Sequence, residues 1–155
     1  MNNEVKINES WTKWIPIANL AKKYYIKEIL DSIDEGFKVK LLENGNQEKG
    51  VTIFFDESVW IYKYTDESFR QYTVAKLNAQ YGVDFYAKWT FFKIENSDYL
   101  KWISEESYGM YDNLEWRHFC ILTDNEILDI IAVYEPEVTL SNQPSVNPKL
   151  VECNK

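Results

Sequence analysis

The longest apolar segment of the chain lies near its middle, at residues 84–94. In an extended conformation, successive side chains point to opposite faces, and both faces of this segment would be apolar. One face would carry Phe85, Ala87, Trp89 and Phe91, and the other Tyr86, Thr90, Phe92 and Ile94. A strand with two apolar faces belongs in the interior of a sheet. We therefore predict a central strand over residues 84–94, with the core around it.

Helical spacing of apolar residues predicts a first helix over residues 17–33. Its apolar face would be formed by Ile17, Leu20, Ala21, Tyr24, Ile26, Ile29, Leu30 and Ile33. Pro16 suits the first turn of a helix, and Gly36 is the residue type that commonly follows a helix end. Before this helix, residues 1–14 are polar apart from two tryptophans, which we expect to pack back onto the domain as part of an arm.

Two further helices are predicted from capping residues and apolar stripes. The second covers residues 66–81, with Asp66 as a cap and Gly82 at its end. Its stripe would be Phe69, Tyr72, Thr73, Leu77 and Tyr81. The third covers residues 97–105 and is capped by the Asn96-Ser97-Asp98 segment. Its apolar face, formed by Tyr99, Trp102 and Ile103, would pack against the core.

Alternating patterns predict further strands at residues 37–42, 51–55, 59–64, 115–122 and 127–134. A polar loop is expected at residues 43–50. Short polar connections at 56–58 and 123–126 indicate two antiparallel hairpins. Together the elements predict an α+β domain with one mainly antiparallel sheet of about six strands and three helices packed on it. We assign residues 1–140 to this single domain and expect residues 141–155 to be an extended or mobile tail.

Charge and aromatic content add information about partners. The chain of 155 residues has a formal net charge of -8 and a pI of about 4.7. Such a surface repels phosphate, so nucleic acid is not expected as a direct ligand, whereas a basic protein would be attracted. The alternative is that the acidic balance only keeps the protein soluble. Aromatic residues make up 16% of the chain, so some must reach the surface, where they can anchor an interface.

The N-terminal residues lack an apolar signal core, and no stretch is long and apolar enough to cross a membrane. The two cysteines, Cys120 and Cys153, form no CxxC motif. Neither a zinc cage nor a disulfide framework is therefore indicated. These features predict a cytoplasmic protein with reduced thiols.

No motif for nucleotide binding, metalloprotease activity or serine hydrolysis is present, and we predict no cofactor and no metal site. One group of reactive residue types lies in the last predicted hairpin. If Thr123 stands opposite Glu126, then Cys120 faces Asp129, and His118 lies diagonal to that carboxylate. Cysteine, histidine and aspartate on one face are also the components of a thiol nucleophile. Because no glycine-rich turn is available as an oxyanion hole, we interpret the group as a buried His–Asp hydrogen bond beside a core cysteine.

A loop at residues 105–114 mixes acidic and aromatic residues around Gly109. Tyrosines within an acidic rim are typical of a surface that binds a cationic protein. The predicted partner-binding residues are Glu105, Glu106, Tyr108, Tyr111 and Asp112. Alternatively, the rings of this loop fold back onto the third helix.

About half of the chain resembles a pattern found in small bacterial proteins of one class. The pattern comprises residues 89–102, His118-Phe119, Asp129-Ile130-Ile131 and Glu135-Pro136. The class is the immunity proteins of bacterial polymorphic toxin systems, which are similarly small, acidic, cytoplasmic and α+β. The resemblance implies a non-catalytic protein that binds and blocks a cognate toxin domain, often a nuclease. It concerns core packing, so it assigns no functional residue.

Three functions are therefore compared below. The first is an immunity or inhibitor protein that neutralises a basic toxin by direct binding. The second is a small-ligand-binding or regulatory module with an aromatic pocket. The third is a hydrolase that uses His118 and Cys120, which would require a reactive and accessible thiol. The identity of the toxin and the oligomeric state stay open.

Overall fold

A computed structural model describes residues 8–142 and has an α+β fold, as predicted. Within this range it contains nine strands, three α-helices and one 3₁₀ turn at Glu67–Phe69. The strands are β1 (Ser10–Lys13), β2 (Tyr24–Ser32), β3 (Gly36–Glu43), β4 (Asn46–Phe55), β5 (Ile61–Asp66), β6 (Phe91–Glu95), β7 (Arg117–Leu122), β8 (Glu126–Ala132) and β9 (Glu137–Asn142). The helices are α1 (Gln71–Tyr81), α2 (Asp84–Ala87) and α3 (Asp98–Glu106).

The described strands form two antiparallel sheets rather than one. The first sheet has the order β1-β6-β7-β8-β5, and the second has the order β2-β3-β4-β9. The antiparallel pairing is confirmed, but the prediction of a single sheet of about six strands is wrong. Alternation within a strand records which side chains are apolar and says nothing about which sheet the strand joins.

The first sheet is covered on both faces, so the fold has three layers. One core lies between the two sheets and contains Phe55, Phe91, Phe119 and Ile130. The other lies between the first sheet and helices α1 and α2, and contains Leu77, Phe92 and Ile127. The predicted packing of the N-terminal tryptophans is confirmed: Trp14 joins the first core and Trp11 the second. Trp11 in β1 and Trp14 just after this strand thus pack on opposite faces of the first sheet.

The prediction of a strand over residues 84–94 is correct only for its second half. Phe91 and Phe92 are both buried, on opposite faces of the first sheet, as a two-sided strand requires. Residues 84–87 instead form the helical turn α2, whose Phe85 ring stacks on that of Tyr81 at 4.3 Å between centroids. A run of consecutive apolar residues satisfies both conformations, so the pattern did not distinguish them.

The predicted helix over residues 17–33 is wrong, because residues 24–32 form the edge strand β2. A β-bulge shifts the register of β2 against β3 between Ile26 and Glu28. Consequently Ile26 and Ile29, three residues apart, both pack against the core between the sheets. A bulge adds one residue to the alternation of a strand, and three-residue spacing is also the signature of a helix.

Two other connections differ from the sequence prediction. Residues 51–55 and 59–64 do not pair with each other: the chain passes from the second sheet to the first, and β5 pairs with β8. The predicted loop over residues 43–50 is mostly strand, because β4 already begins at Asn46.

Strand β9 was not predicted at all, and it pairs with β4 through residue 142. The rest of the predicted tail, with Cys153, lies outside the described residues.

Helix α3 and the last hairpin agree with prediction, whereas the helix predicted over residues 66–81 begins only at Gln71, and Asp66 caps the 3₁₀ turn Glu67–Phe69 instead. Helix α3 begins after Ser97, whose side chain caps it, and helix α1 ends at Gly82. The stripe predicted for the second helix is wrong in part: Leu77 is buried, but Phe69 and Tyr72 are 84% and 80% exposed. Trp102, predicted to face the core, is 52% exposed, and this difference is important for the site described below.

Gly36, predicted to end a helix, instead begins β3 in a conformation that requires glycine. Its φ is +85°, and a Cβ there would lie 2.3 Å from the carbonyl oxygen of Phe55. Gly45 has a similar φ of +81° but open space around it. We expect Gly45→Ala to lower the free energy of unfolding by about 1 kcal/mol, and Gly36→Ala by at least about twice as much. Urea denaturation of both variants measures the difference, and equal losses would contradict the close backbone approach at Gly36.

Candidate functional site

An open groove of about 640 Å³ lies between α3, the loop that follows it, and the beginning of β5. Its walls are largely aromatic and comprise Trp60, Tyr62, Tyr99, Trp102, Tyr111 and Trp116. Trp60 is 73% exposed, and Trp102 is about half exposed. Large rings that remain in water on one part of a surface are typical of a binding site. We refer to this feature as the aromatic groove.

Helix α3 holds one wall of the aromatic groove in place. Its N-terminus is capped by Ser97, whose Oγ accepts a hydrogen bond of 3.1 Å from the Leu100 amide. Ile103 is the buried residue of the helix and lines the groove beside Ile61 of β5, while the Ser97 hydroxyl also lies 2.6 Å from His118 Nδ1 of β7. These contacts turn Tyr99 and Trp102 toward the groove, where their rings stack with 5.8 Å between centroids.

The opposite wall comes from two segments that precede strands of the first sheet. Trp60 lies immediately before β5, and Trp116 immediately before β7. Their rings meet edge to face with 6.4 Å between centroids. Beside them, the ring of Tyr62 rests on Phe37 of β3, with 4.8 Å between centroids. The wall therefore stands at the junction of the two sheets.

The loop after α3 is fixed by hydrogen bonds to its own helix. The Gly109 amide donates to the Ser104 carbonyl at 2.8 Å, and the Ser104 hydroxyl donates to Asp112 Oδ1 at 2.7 Å. Trp116 Nε1 donates to the Tyr111 carbonyl at 3.0 Å. These contacts place Tyr111 at the mouth of the groove without any regular secondary structure.

The structure brings together only part of the predicted partner-binding set. Glu106 and Tyr111 line the aromatic groove, whereas Glu105, Tyr108 and Asp112 lie outside its lining. All five are exposed, and Tyr108 is 98% exposed. The alternative was that the rings of this loop fold back onto the third helix. It fits Tyr111, which lines the groove together with residues of α3, but it does not fit the exposed Tyr108. The partner-binding role of the five residues stays a prediction.

Most of the aromatic groove was missed by the sequence reasoning. Trp60, Tyr62 and Trp116 were treated as parts of predicted strands, and Tyr99 and Trp102 as core residues of a helix. The high aromatic content indicated that some rings must be exposed, but not which ones. The groove is formed by segments that are distant in sequence and meet at the end of the first sheet, so no local pattern indicated it.

The segment over residues 98–116, which supplies most of the groove lining, is strongly acidic. Residues 98–116 contain five carboxylates and one lysine, which gives a net charge of -4 out of the -8 of the whole chain. Within the described part of the chain, Glu105, Glu106 and Glu115 form no salt bridge. Carboxylates left in water beside apolar rings can pair with a cationic partner at little desolvation cost.

A second cleft, of about 480 Å³, adjoins the groove on the other side of Tyr99 and Trp102. At its floor His118 Nε2 lies 2.6 Å from Asp129 Oδ1, and Arg70 Nη1 donates to Asp129 Oδ2 at 2.9 Å. On the other side of the ring, His118 Nδ1 lies 2.6 Å from Ser97 Oγ. We refer to Ser97, His118, Asp129 and Arg70 as the buried polar chain.

The predicted geometry of the last hairpin is confirmed. Cys120 pairs with Asp129 and His118 with Ile131, as the turn at residues 123–126 required. Burial raises the pKa of Asp129, but hydrogen bonding and the charges of His118 and Arg70 outweigh it, so that the pKa lies below its usual value. Asp129 is thus ionised and only accepts, which means that His118 Nε2 donates to it.

Cys120 lacks the properties of a nucleophile. Its side chain has no exposure to solvent, and burial together with the nearby charge of Asp129 raises the pKa of its thiol well above the usual 9.0. Reactive cysteines have a lowered pKa and an open approach. The interpretation of Cys120 as a core residue therefore agrees with its environment.

Serine, histidine and aspartate in one hydrogen-bonded chain are also the residue types of a hydrolase triad. In such triads the serine bonds to Nε2 and the carboxylate to Nδ1, whereas the order at His118 is the reverse. Ser97 is 2% exposed, and its hydroxyl already caps α3. The buried polar chain therefore links the start of α3 to strands β7 and β8 of the first sheet. In this way it supports the wall of the aromatic groove that α3 forms.

Among residues 8–142 no cluster of three or more His, Cys, Asp or Glu side chains could hold a metal ion. None of the helices in this range has the length and apolar character needed to cross a membrane. Comparison with known protein families, with curated proteins and with solved structures gave no significant match. The resemblance to immunity proteins therefore stays a prediction, and function has to be inferred from the site.

Proposed function

We propose that the protein is a non-catalytic inhibitor, of the immunity-protein kind, that neutralises a basic toxin domain by direct binding in the cytoplasm. The observation that carries the proposal is the joint exposure of large aromatic rings and unpaired carboxylates around the aromatic groove. Tryptophan and tyrosine are the residues that most often dominate binding energy at interfaces. Unpaired carboxylates would select a cationic surface and speed its approach.

The environments of Cys120 and Ser97, the two candidate nucleophiles considered within residues 8–142, favour binding over catalysis as the function. Cys120 is buried with a raised pKa, and Ser97 is used to cap α3. A basic nuclease domain would complement this site chemically, because its substrate surface must be cationic. An acidic inhibitor on that surface would compete with nucleic acid.

The proposal expects the reading frame immediately upstream to encode a toxin domain, and an upstream frame without one would count against it. The test uses that domain, purified as an inactive variant. We expect Glu106→Arg to weaken binding at least about tenfold, because it places a like charge against the partner and removes the carboxylate from the groove. Isothermal titration calorimetry measures the dissociation constant, and growth of cells that produce the active toxin measures protection.

Glu48→Arg provides the matched control, since it makes the same charge change at another exposed glutamate. Glu48 lies beside the turn between β3 and β4, and Asn44 in that turn bonds to Asp124 between β7 and β8. This is the end of the sheets opposite to Trp116 and the groove. Equal effects of the two substitutions would contradict binding at the groove, and absence of any complex would reject the proposed function.

A small-ligand-binding module is the second candidate, favoured by the volume of the aromatic groove. Its 640 Å³ falls within the range of about 300–1,000 Å³ that is usual for small-molecule sites. A ligand site would bind its compound equally well whether or not a toxin gene lies nearby. Stabilisation of the purified protein by a neutral metabolite, with no binding of the upstream protein, would support this candidate over inhibition.

A further inference from the structure

The aromatic groove combines two properties that constrain its occupant. Three indole and three phenol rings form the walls, and Glu106 is the one charged residue among the lining. A purely apolar occupant would bury the carboxylate of Glu106 without a partner, which is costly. An anion would be repelled by Glu106 and by the net -4 of residues 98–116. A cation with an apolar body satisfies both the rings and the carboxylate.

The wall between the groove and the second cleft already binds a cation on one side. Lys63, which lines the second cleft, places its Nζ 4.2 Å from the centroid of the Tyr99 ring. Ring faces at this distance attract cations through their quadrupole. Trp102, stacked on Tyr99, continues the same wall into the aromatic groove. The Lys63–Tyr99 contact is therefore an intramolecular example of the cation–π contact that a cation of the partner would make on the other side of this wall.

We propose that the aromatic groove receives an arginine side chain of the basic partner, a specification that rests on the proposed function. The guanidinium lies flat against the indoles of Trp60 or Trp102 and pairs with the carboxylate of Glu106. Arginine fits better than lysine, because its planar group stacks on rings, is weakly hydrated and offers a fork of donors to a carboxylate. Lysine would retain more of its hydration and have only a point charge to offer.

The test needs no partner protein. N-acetyl-arginine amide is titrated into the full chain, and the indole N–H signals of the six tryptophans are followed by NMR. Trp60→Phe, Trp102→Phe and Trp116→Phe variants assign the three groove signals. We expect saturable shifts at Trp60, Trp102 and Trp116 with a dissociation constant on the order of 10 mM. The indoles of Trp11 and Trp89, which donate to Glu9 and to the Trp14 carbonyl, serve as internal controls and should not move.

N-acetyl-citrulline amide is the matched probe, because it keeps the shape of arginine without the charge. We expect it to bind at least about tenfold more weakly, and N-acetyl-lysine amide to fall between the two. Glu106→Gln should weaken binding of the arginine probe severalfold and leave the citrulline probe unchanged, whereas Glu48→Gln should alter neither.

Equal binding of arginine and citrulline, tighter binding of lysine, or shifts confined to other tryptophans would each overturn the proposal. So would the absence of a saturable shift at any of the three groove tryptophans. Failure here leaves the toxin-binding experiment standing, since that measurement does not depend on which partner residue enters the groove. Conversely, arginine binding without any toxin complex would reject inhibition and retain a cation site.

Discussion

We expect Asp129→Asn to lower the free energy of unfolding by about 3 kcal/mol or more, because it removes the charge from a buried and fully paired carboxylate. Asp129 is 1% exposed and accepts hydrogen bonds from Arg70 and His118. The substitution leaves the size of the side chain nearly unchanged, so the loss reports charge and hydrogen bonding rather than a cavity. Urea denaturation at neutral pH measures it.

Asp124→Asn is the control for this substitution. It makes the same chemical change in the turn after β7, where the side chain of Asp124 is 63% exposed and faces Lys23 at 3.7 Å. Asp124 is largely in water, and the more buried Lys23 keeps hydrogen bonds to the carbonyls of Tyr86, Trp89 and Leu122, so we expect a loss within about 1 kcal/mol. Similar losses for the two variants would contradict the assignment of Asp129 as the centre of the buried polar chain.

The same carboxylate predicts how stability depends on pH. Because the pKa of Asp129 is lowered in the folded protein, the folded state gains stability from its ionised form above the unfolded pKa, near the ordinary value of 3.8. This contribution is lost as the pH falls below that value and through the folded pKa. The wild-type protein should therefore approach Asp129→Asn in stability in that acidic window. A difference that stays constant down to low pH would contradict the lowered pKa.

The second large effect is expected for Phe119→Ala, which should cost about 3–5 kcal/mol by leaving a cavity between the sheets. Phe119 has no exposure to solvent. Its ring centroid lies 4.9 Å from that of Trp14 and 5.7 Å from that of Phe55 in the second sheet. The side chain therefore connects the two sheets, and its removal weakens the contact between them.

Phe69→Ala makes the same change at a ring that is 84% exposed, and we expect it to cost no more than about 0.5 kcal/mol. If Phe119→Ala does not fold, Phe119→Leu keeps the test available, with a smaller loss of about 1–2 kcal/mol. Chemical denaturation with a single transition gives all three values. Equal costs at Phe119 and Phe69 would mean that the two sheets do not pack through Phe119.

The local features that sequence reasoning predicted correctly are those determined by neighbouring residues. The turn at residues 123–126 fixed the register of β7 on β8, and with it the contact between His118 and Asp129. The cap of α3 was predicted within Asn96-Ser97-Asp98, where Ser97 supplies it, because capping needs only the first turn of the helix. The α+β class followed from the same signals.

The features that were missed depend on residues far apart in the sequence. The bulge in β2 changed a strand alternation into apparent helical spacing at Ile26 and Ile29. The division into two sheets depends on the segment between β4 and β5, where the chain passes from the second sheet to the first. No local sequence pattern indicates this crossing. The aromatic groove combines residues 60 and 116, and Arg70 reaches Asp129 from helix α1's start, so neither contact has a signature in spacing.

The long-range strand pairing has a consequence for synthesis. Strand β1 must find β6, with Ser10 opposite Glu95, and β4 must find β9, with Lys49 opposite Asn142. Pairings this distant in sequence slow folding, typically to times on the order of milliseconds to seconds. The first sheet cannot be completed until β8 has left the ribosome, and the second cannot be completed until β9 has done so. Under the proposed function, a newly made molecule would protect only after both of these strands had emerged and paired, and cells would depend on a reserve of protein that had already folded.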